Sequence, residues 1–94
     1  MENSESKPED LLEILSEINP DAAYPTDLVG AIIGYVEQFG QTPKILLDRS
    51  KCIEIFKTRD GMSDEEAEEF FEYNVLGAHV GENPCFAVLL KDLL

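Results

Sequence analysis

Residues 59–74, RDGMSDEEAEEFFEYN, constrain this chain more than any other stretch. Gly61 is placed as the residue just past a helix C-terminus, where a left-handed backbone is cheap only for glycine. Ser63, with Glu66 three positions on, has the form of a capping box that starts a helix. One helix therefore ends and another begins here. Asp64, Glu65 and Glu66 occupy the first turn of the second helix, where the dipole favours negative charge. Ala67, Phe70, Phe71 and Val75 recur at helical spacing and form its expected buried stripe.

From Asp60 to Glu72, both included, there are seven acids and no Lys or Arg. Glu65, Glu68, Glu69 and Glu72 recur at three- and four-residue spacing and share a face. The pairs Asp64/Glu68, Glu65/Glu69 and Glu68/Glu72 are like-charged at i,i+4, each costing roughly 0.2–0.5 kcal/mol. No base within the helix relieves them. Capping and dipole account for the first turn, but not for Glu68, Glu69 and Glu72. Two readings compete for this ridge: a solvated face that keeps a small protein soluble, and a docking face for a basic partner. Glu65, Glu68, Glu69 and Glu72 are thus the candidate partner-binding residues. A divalent-metal site is not expected, because no oxygen-rich loop of the EF-hand kind is present.

The whole chain shares this bias. Twenty acids against seven bases leave a formal charge of −13 over 94 residues. Such a charge repels phosphate, so neither direct nucleic-acid binding nor an anionic membrane surface is expected. It favours basic protein partners. A hydrophobic content of 44%, with five Phe and three Tyr, is ordinary for a globular domain and argues against disorder. The length suits one domain. Residues 1–6 read as a polar tail and 7–94 as a single α+β domain. No apolar run approaches the 18 or so residues of a membrane span. The start MENSESKPED lacks the basic and apolar regions of a signal peptide, so the expected compartment is cytoplasmic.

Elsewhere, SKPEDLLEILSEINP reads as a helix with Ser6 and Glu9 as capping box, Pro8 in the first turn and a stop before Pro20. AIIGYVEQF and KILLD read as strands of a hairpin turning at residues 40–43. A helix over residues 27–39, capped by Asp27, is the alternative, although Gly30 and Gly34 each count against it by about 1 kcal/mol. DRSKCIEIFKTRDG reads as a helix capped by Asp48 or Ser50, with Lys57 and Arg59 complementing its C-terminal dipole. CFAVLL reads as a third strand. The expected order is α-β-β-α-α-β: an α+β fold with helices on one face of a small antiparallel three-stranded sheet.

Catalytic signals are sparse. Cys52, Cys85 and the single His79 do not form a spaced metal-ligand set, and two buried free thiols acting as small hydrophobes are expected. A Cys–His nucleophile needs a low thiol pKa, which anionic surroundings oppose. No glycine motif forms a phosphate loop. Phe56, Phe70, Phe71 and Tyr73 lie on amphipathic helices and are expected in the core, since stacking platforms for nucleic acid come with cationic grooves. No enzyme activity and no cofactor are expected.

The segment DRSKCIEIFKTRDGMSDEEAEEFFEYNVLGAHVGENPCF resembles a family of short acidic proteins met in phage and bacterial genomes, without an assigned activity. The resemblance covers about residues 31–90 and lies in D-x-x-K-C-I-E-I, then R-D-G-M-S with E-E-A-x-E-F-F-E-x-N, then G-A-x-V-G-E. Residues 1–25 lie outside it. It implies kinship and transfers no catalytic residue. The expected function is a small non-enzymatic interaction protein, phage-encoded or phage-derived, that binds a basic protein, as an inhibitor mimicking nucleic-acid charge in the sharper form. The alternative is a structural homo-oligomer, such as a homodimer pairing through the CFAVLL edge, or a virion-associated component.

Overall fold

A computed structural model describes residues 13–14, 16–17, 26–77 and 84–94. Residues 13–14 and 16–17 are helical, as expected there, and the Ser16 hydroxyl donates to the Glu13 carbonyl at 2.9 Å. The polar tail, the Ser6/Glu9 capping box, Pro8 and His79 lie outside the described residues.

The fold is α+β, as expected. A 3-10 turn over Thr26–Ala31 leads into strand β1 (Ile32–Val36) and strand β2 (Lys44–Asp48). Helix α1 (Arg49–Asp60) and helix α2 (Asp64–Phe71) follow, and α2 passes into a π-turn over Glu72–Leu76. Strand β3 (Cys85–Ala87) and a short 3-10 turn over Leu90–Asp92 complete the order. β2 is the central strand: β1 pairs with it antiparallel and β3 pairs with it parallel. The sheet is mixed, which corrects the expectation of an antiparallel one. A hairpin loop can only return a strand antiparallel, whereas β3 arrives after residues 49–84, long enough for the crossover that parallel pairing requires.

Both readings of residues 27–39 contain part of the answer. The first half is helical and the second half is strand. The 3-10 segment is kinked at Leu28 (φ −118°, ψ 23°), and Leu28 and Ala31 are both fully buried in the core. Ile32 pairs with Leu47 and Gly34 with Leu46, leaving Ile33 as the extra residue of a bulge. The loop turns at Gln38–Gln41, closed by the Gln41 N–H donating to the Gln38 carbonyl at 2.9 Å. Gly40 takes φ +80° at the third position, as a type II turn requires.

Alternation along β2 places Ile45 and Leu47 in one core with Leu28, Ala31, Cys52, Phe56, Ala67, Phe71 and Val75. Phe71 meets Phe86 of β3 edge-on at 5.2 Å between ring centres. Asp48 ends β2 and caps α1, accepting from the Ser50 N–H at 3.0 Å while almost fully buried. Gly61, at φ +72°, closes α1 by donating its N–H to the Lys57 carbonyl at 3.1 Å. Both termini flanking the expected turn are therefore where the caps put them.

Candidate functional site: the acidic face and groove of helix α2

Helix α2 starts on the expected capping box. Ser63 Oγ accepts from the Glu66 N–H at 3.2 Å, and Glu66 Oε1 accepts from the Ser63 N–H at 3.0 Å. Ala67 and Phe71 face the core and set the rotation of the helix. Glu65, Glu68, Glu69 and Glu72 are consequently turned to solvent.

The four do not share one electrostatic state. Glu72 is bridged by Arg49 at 2.9 Å, and the Arg49 guanidinium lies 4.9 Å from the centre of the Phe71 ring. Asp64 is bridged by Lys57 of α1, which raises the Lys57 pKa through that hydrogen bond first. Arg59 pairs with Asp60 at 2.8 Å and lies 5.6 Å from the centre of the Phe56 ring. The hydrogen bond from Arg59 holds the Asp60 carboxyl below its ordinary value. Arg59 also reaches Asp27 at 3.4 Å. The bases that relieve this region thus come from α1, a contact that sequence spacing within α2 does not display. The carboxylates of Glu65, Glu68 and Glu69 have no hydrogen-bond or ion-pair partner among the described residues.

The expectation that Phe70 and Tyr73 are core residues is corrected. Phe56 and Phe71 are buried, but Phe70 is 38% exposed and Tyr73 81% exposed. Ala67, Phe71 and Val75 follow one another at four-residue spacing and fill the inward line, so Phe70 falls on its flank and Tyr73 outside it. That spacing was available in the sequence. What it could not display is the shift to π bonding, in which the Gly77 N–H donates to the Glu72 carbonyl at 3.0 Å. The Phe70 carbonyl accepts from the Asn74 side-chain amide at 3.3 Å. Phe70 and Phe56 meet in a T-shaped contact, with ring centres 4.9 Å apart. Together with Met62, Phe70 and Tyr73 line an open groove of about 510 Å³, rimmed by Asp60, Glu66 and Glu69.

Other candidate chemistry is weaker. Cys52 is a fully buried free thiol whose pKa is pushed up to about 12, by burial first and then by Asp48 and Asp27. Its nucleophilic thiolate is therefore suppressed at neutral pH. Cys85 is a free, half-buried thiol on β3. Among the described residues, no group of three or more His, Cys, Asp or Glu side chains is placed to hold a metal ion. Among them, no helix is long and apolar enough to cross a membrane. Comparison with protein-family models, curated proteins and solved structures finds no match for this chain.

Proposed function

We propose that this protein is a small non-enzymatic interaction protein that docks a basic protein partner on the outer face of α2. The observation that carries this reading is the unequal treatment of the acids. Arg49, Lys57 and Arg59 each hold a carboxylate around α2, yet Glu65, Glu68 and Glu69 are left exposed and unpartnered among the described residues. Solubility alone would be served as well by interspersed lysines, which would also remove the like-charge cost within the helix. An unrelieved anionic ridge instead matches a cationic surface and steers its approach.

The net charge of −13 makes a basic channel that normally takes nucleic acid the sharpest form of partner, with this chain as an inhibitor that imitates phosphate. Kinship with short acidic phage and bacterial proteins, and a cytoplasmic setting, belong to the same proposal. The test is affinity capture from bacterial lysate with the wild-type chain and with the Glu65→Gln/Glu68→Gln/Glu69→Gln variant, at low and high salt. Basic proteins retained by the wild type at low salt and lost by the variant support the reading. Equal retention by both overturns it.

A second reading, a homo-oligomeric structural component, is favoured by one observation. Val88, Leu90 and Leu93 stand exposed beside the short edge strand β3. Sedimentation across a range of concentrations tests it: a strict monomer removes it.

A further inference from the structure

We propose that the groove beside the α1–α2 turn holds an arginine side chain of the basic partner, with Tyr73 and Phe70 as aromatic walls and Glu69 as counter-ion. This inference rests on the docking of a basic protein by α2 and specifies where that partner is anchored.

The chain itself supplies the pattern. Arg49 lies over Phe71 and pairs with Glu72; Arg59 lies over Phe56 and pairs with Asp60. In each case a guanidinium is held by a ring and a carboxylate side by side. Phe70 and Tyr73, with Glu69 beside them in the groove, present a third such combination, and no cation of this chain occupies it among the described residues. Asp60 and Glu66 on the rim are already engaged, by Arg59 and by the Ser63 N–H, so Glu69 is the carboxylate left to pair.

The walls are fit for a planar cation. Phe70 is held by its T-shaped contact with Phe56, and Met62, which also lines the groove, packs against the core. Tyr73 offers an exposed ring with no packing role. A guanidinium stacks on an aromatic face and binds a carboxylate through paired donors, and it is more weakly hydrated than an ammonium. The anionic rim excludes phosphate and carboxylate ligands. A second copy of this chain, at −13, is opposed by its own charge.

The experiment compares two fluorescent peptides of equal charge, one alternating arginine with glycine and the other lysine with glycine, by anisotropy at low salt. The wild-type protein is expected to bind the arginine peptide about fivefold more tightly than the lysine peptide. Tyr73→Ala and Tyr73→Leu are expected to erase that preference, and Tyr73→Phe to keep it. Tyr73 is exposed, so these variants should retain the wild-type circular dichroism spectrum. Equal affinity for the two peptides, unchanged by Tyr73→Leu but weakened by Glu65→Gln/Glu68→Gln, overturns the groove while leaving the acidic-face reading intact. Failure of both peptides to bind overturns both.

Discussion

At the scale of the residue, two buried side chains in the β2–α1 region carry more than their size suggests. Asp48 is the last residue of β2 and the N-cap of α1, and its carboxylate answers the Ser50 N–H inside the protein. Asp48→Ala removes the acceptor and leaves that donor without it, so a loss of about 1–2 kcal/mol is expected by urea unfolding. Asp48→Asn keeps a capping oxygen and should recover most of the loss. If both variants unfold alike, the carboxylate acts through its charge and the capping account fails. Cys52, one turn into α1, is the second. Its folded pKa of about 12 stands above its ordinary value of 9.0, chiefly through burial. Between those values the unfolded chain releases the thiol proton and the native chain keeps it. Deprotonation therefore stabilises the unfolded state, and stability is full below pH 9 and falls as pH rises toward 12. Cys52→Ala leaves a small void that lowers stability at neutral pH, and it removes this group's share of the alkaline slope. Urea midpoints measured from neutral pH into the alkaline range for both chains read that slope; identical slopes would exclude Cys52 as its source. The capping function of Asp48 was open to sequence reading, because a carboxylate before an amphipathic segment is a cap signal. The burial of Cys52 is expected of a small hydrophobe, whereas that of Asp48 was less legible, since it depends on β1 and β3 flanking β2 on both sides.

At the scale of the element, α2 and its π-turn carry opposed effects along one ridge. Glu68 is like-charged with both Asp64 and Glu72 and has no cation of its own among the described residues. Glu68→Gln is expected to raise stability by on the order of 0.5 kcal/mol. Glu72 has the same neighbour but also the Arg49 bridge, with Arg49 stacked on the buried Phe71. Glu72→Gln is expected to lower stability by about 0.5–1 kcal/mol, and Arg49→Ala by more, since the stacking goes too. Thermal unfolding of the three variants checks the sign of each, and a gain for Glu72→Gln would show that the bridge contributes nothing. These opposite signs explain why the ridge was only half readable from spacing. Periodicity within α2 identifies which acids share a face, and both cap motifs flanking Gly61 placed the helix ends correctly. It says nothing of Arg49 and Lys57, which arrive from another element through tertiary packing. The same limit applies to residues 27–39. Helical and strand periods coexist there because the chain uses the first for Thr26–Ala31 and the second for Ile32–Val36, with Ile33 inserted as a bulge. Any single period fitted across the whole stretch misplaces half of it. Phe70 and Tyr73 depart from the expected core for a related reason: Ala67, Phe71 and Val75 already fill the inward line of α2 and its π-turn, which leaves no room on it for two more aromatic side chains.

At the scale of the whole molecule, the question is whether the charge of −13 acts on the fold or only on its partners. The parallel pairing of β3 with β2 brings the chain back beside its own middle, and the Ser50 hydroxyl donates to Asp92 at 2.9 Å across that closure. Acids from distant parts of the sequence are thereby gathered into a small volume, and their mutual repulsion opposes the compact state. The ion pairs among the described residues act in the other direction, but they lie at or near the surface, where each contributes little. Salt screens both. Because repulsion extends over many exposed charges and attraction is confined to close contacts, screening should relieve more repulsion than it removes attraction. Raising sodium chloride from about 20 mM to about 300 mM shortens the Debye length from beyond 20 Å to below 8 Å, less than the span of the domain but longer than an ion-pair contact. The melting temperature is therefore expected to rise over that range, by a few degrees for a chain of this size. The Glu65→Gln/Glu68→Gln/Glu69→Gln variant, with three fewer negative charges, should start higher and respond less. A melting temperature that falls with salt would mean that the bridges from Arg49, Lys57 and Arg59 dominate the electrostatics of folding. If the temperature rises as expected while capture of basic proteins declines over the same salt range, one property, unrelieved negative charge, both limits the stability of this protein and equips α2 for a cationic partner.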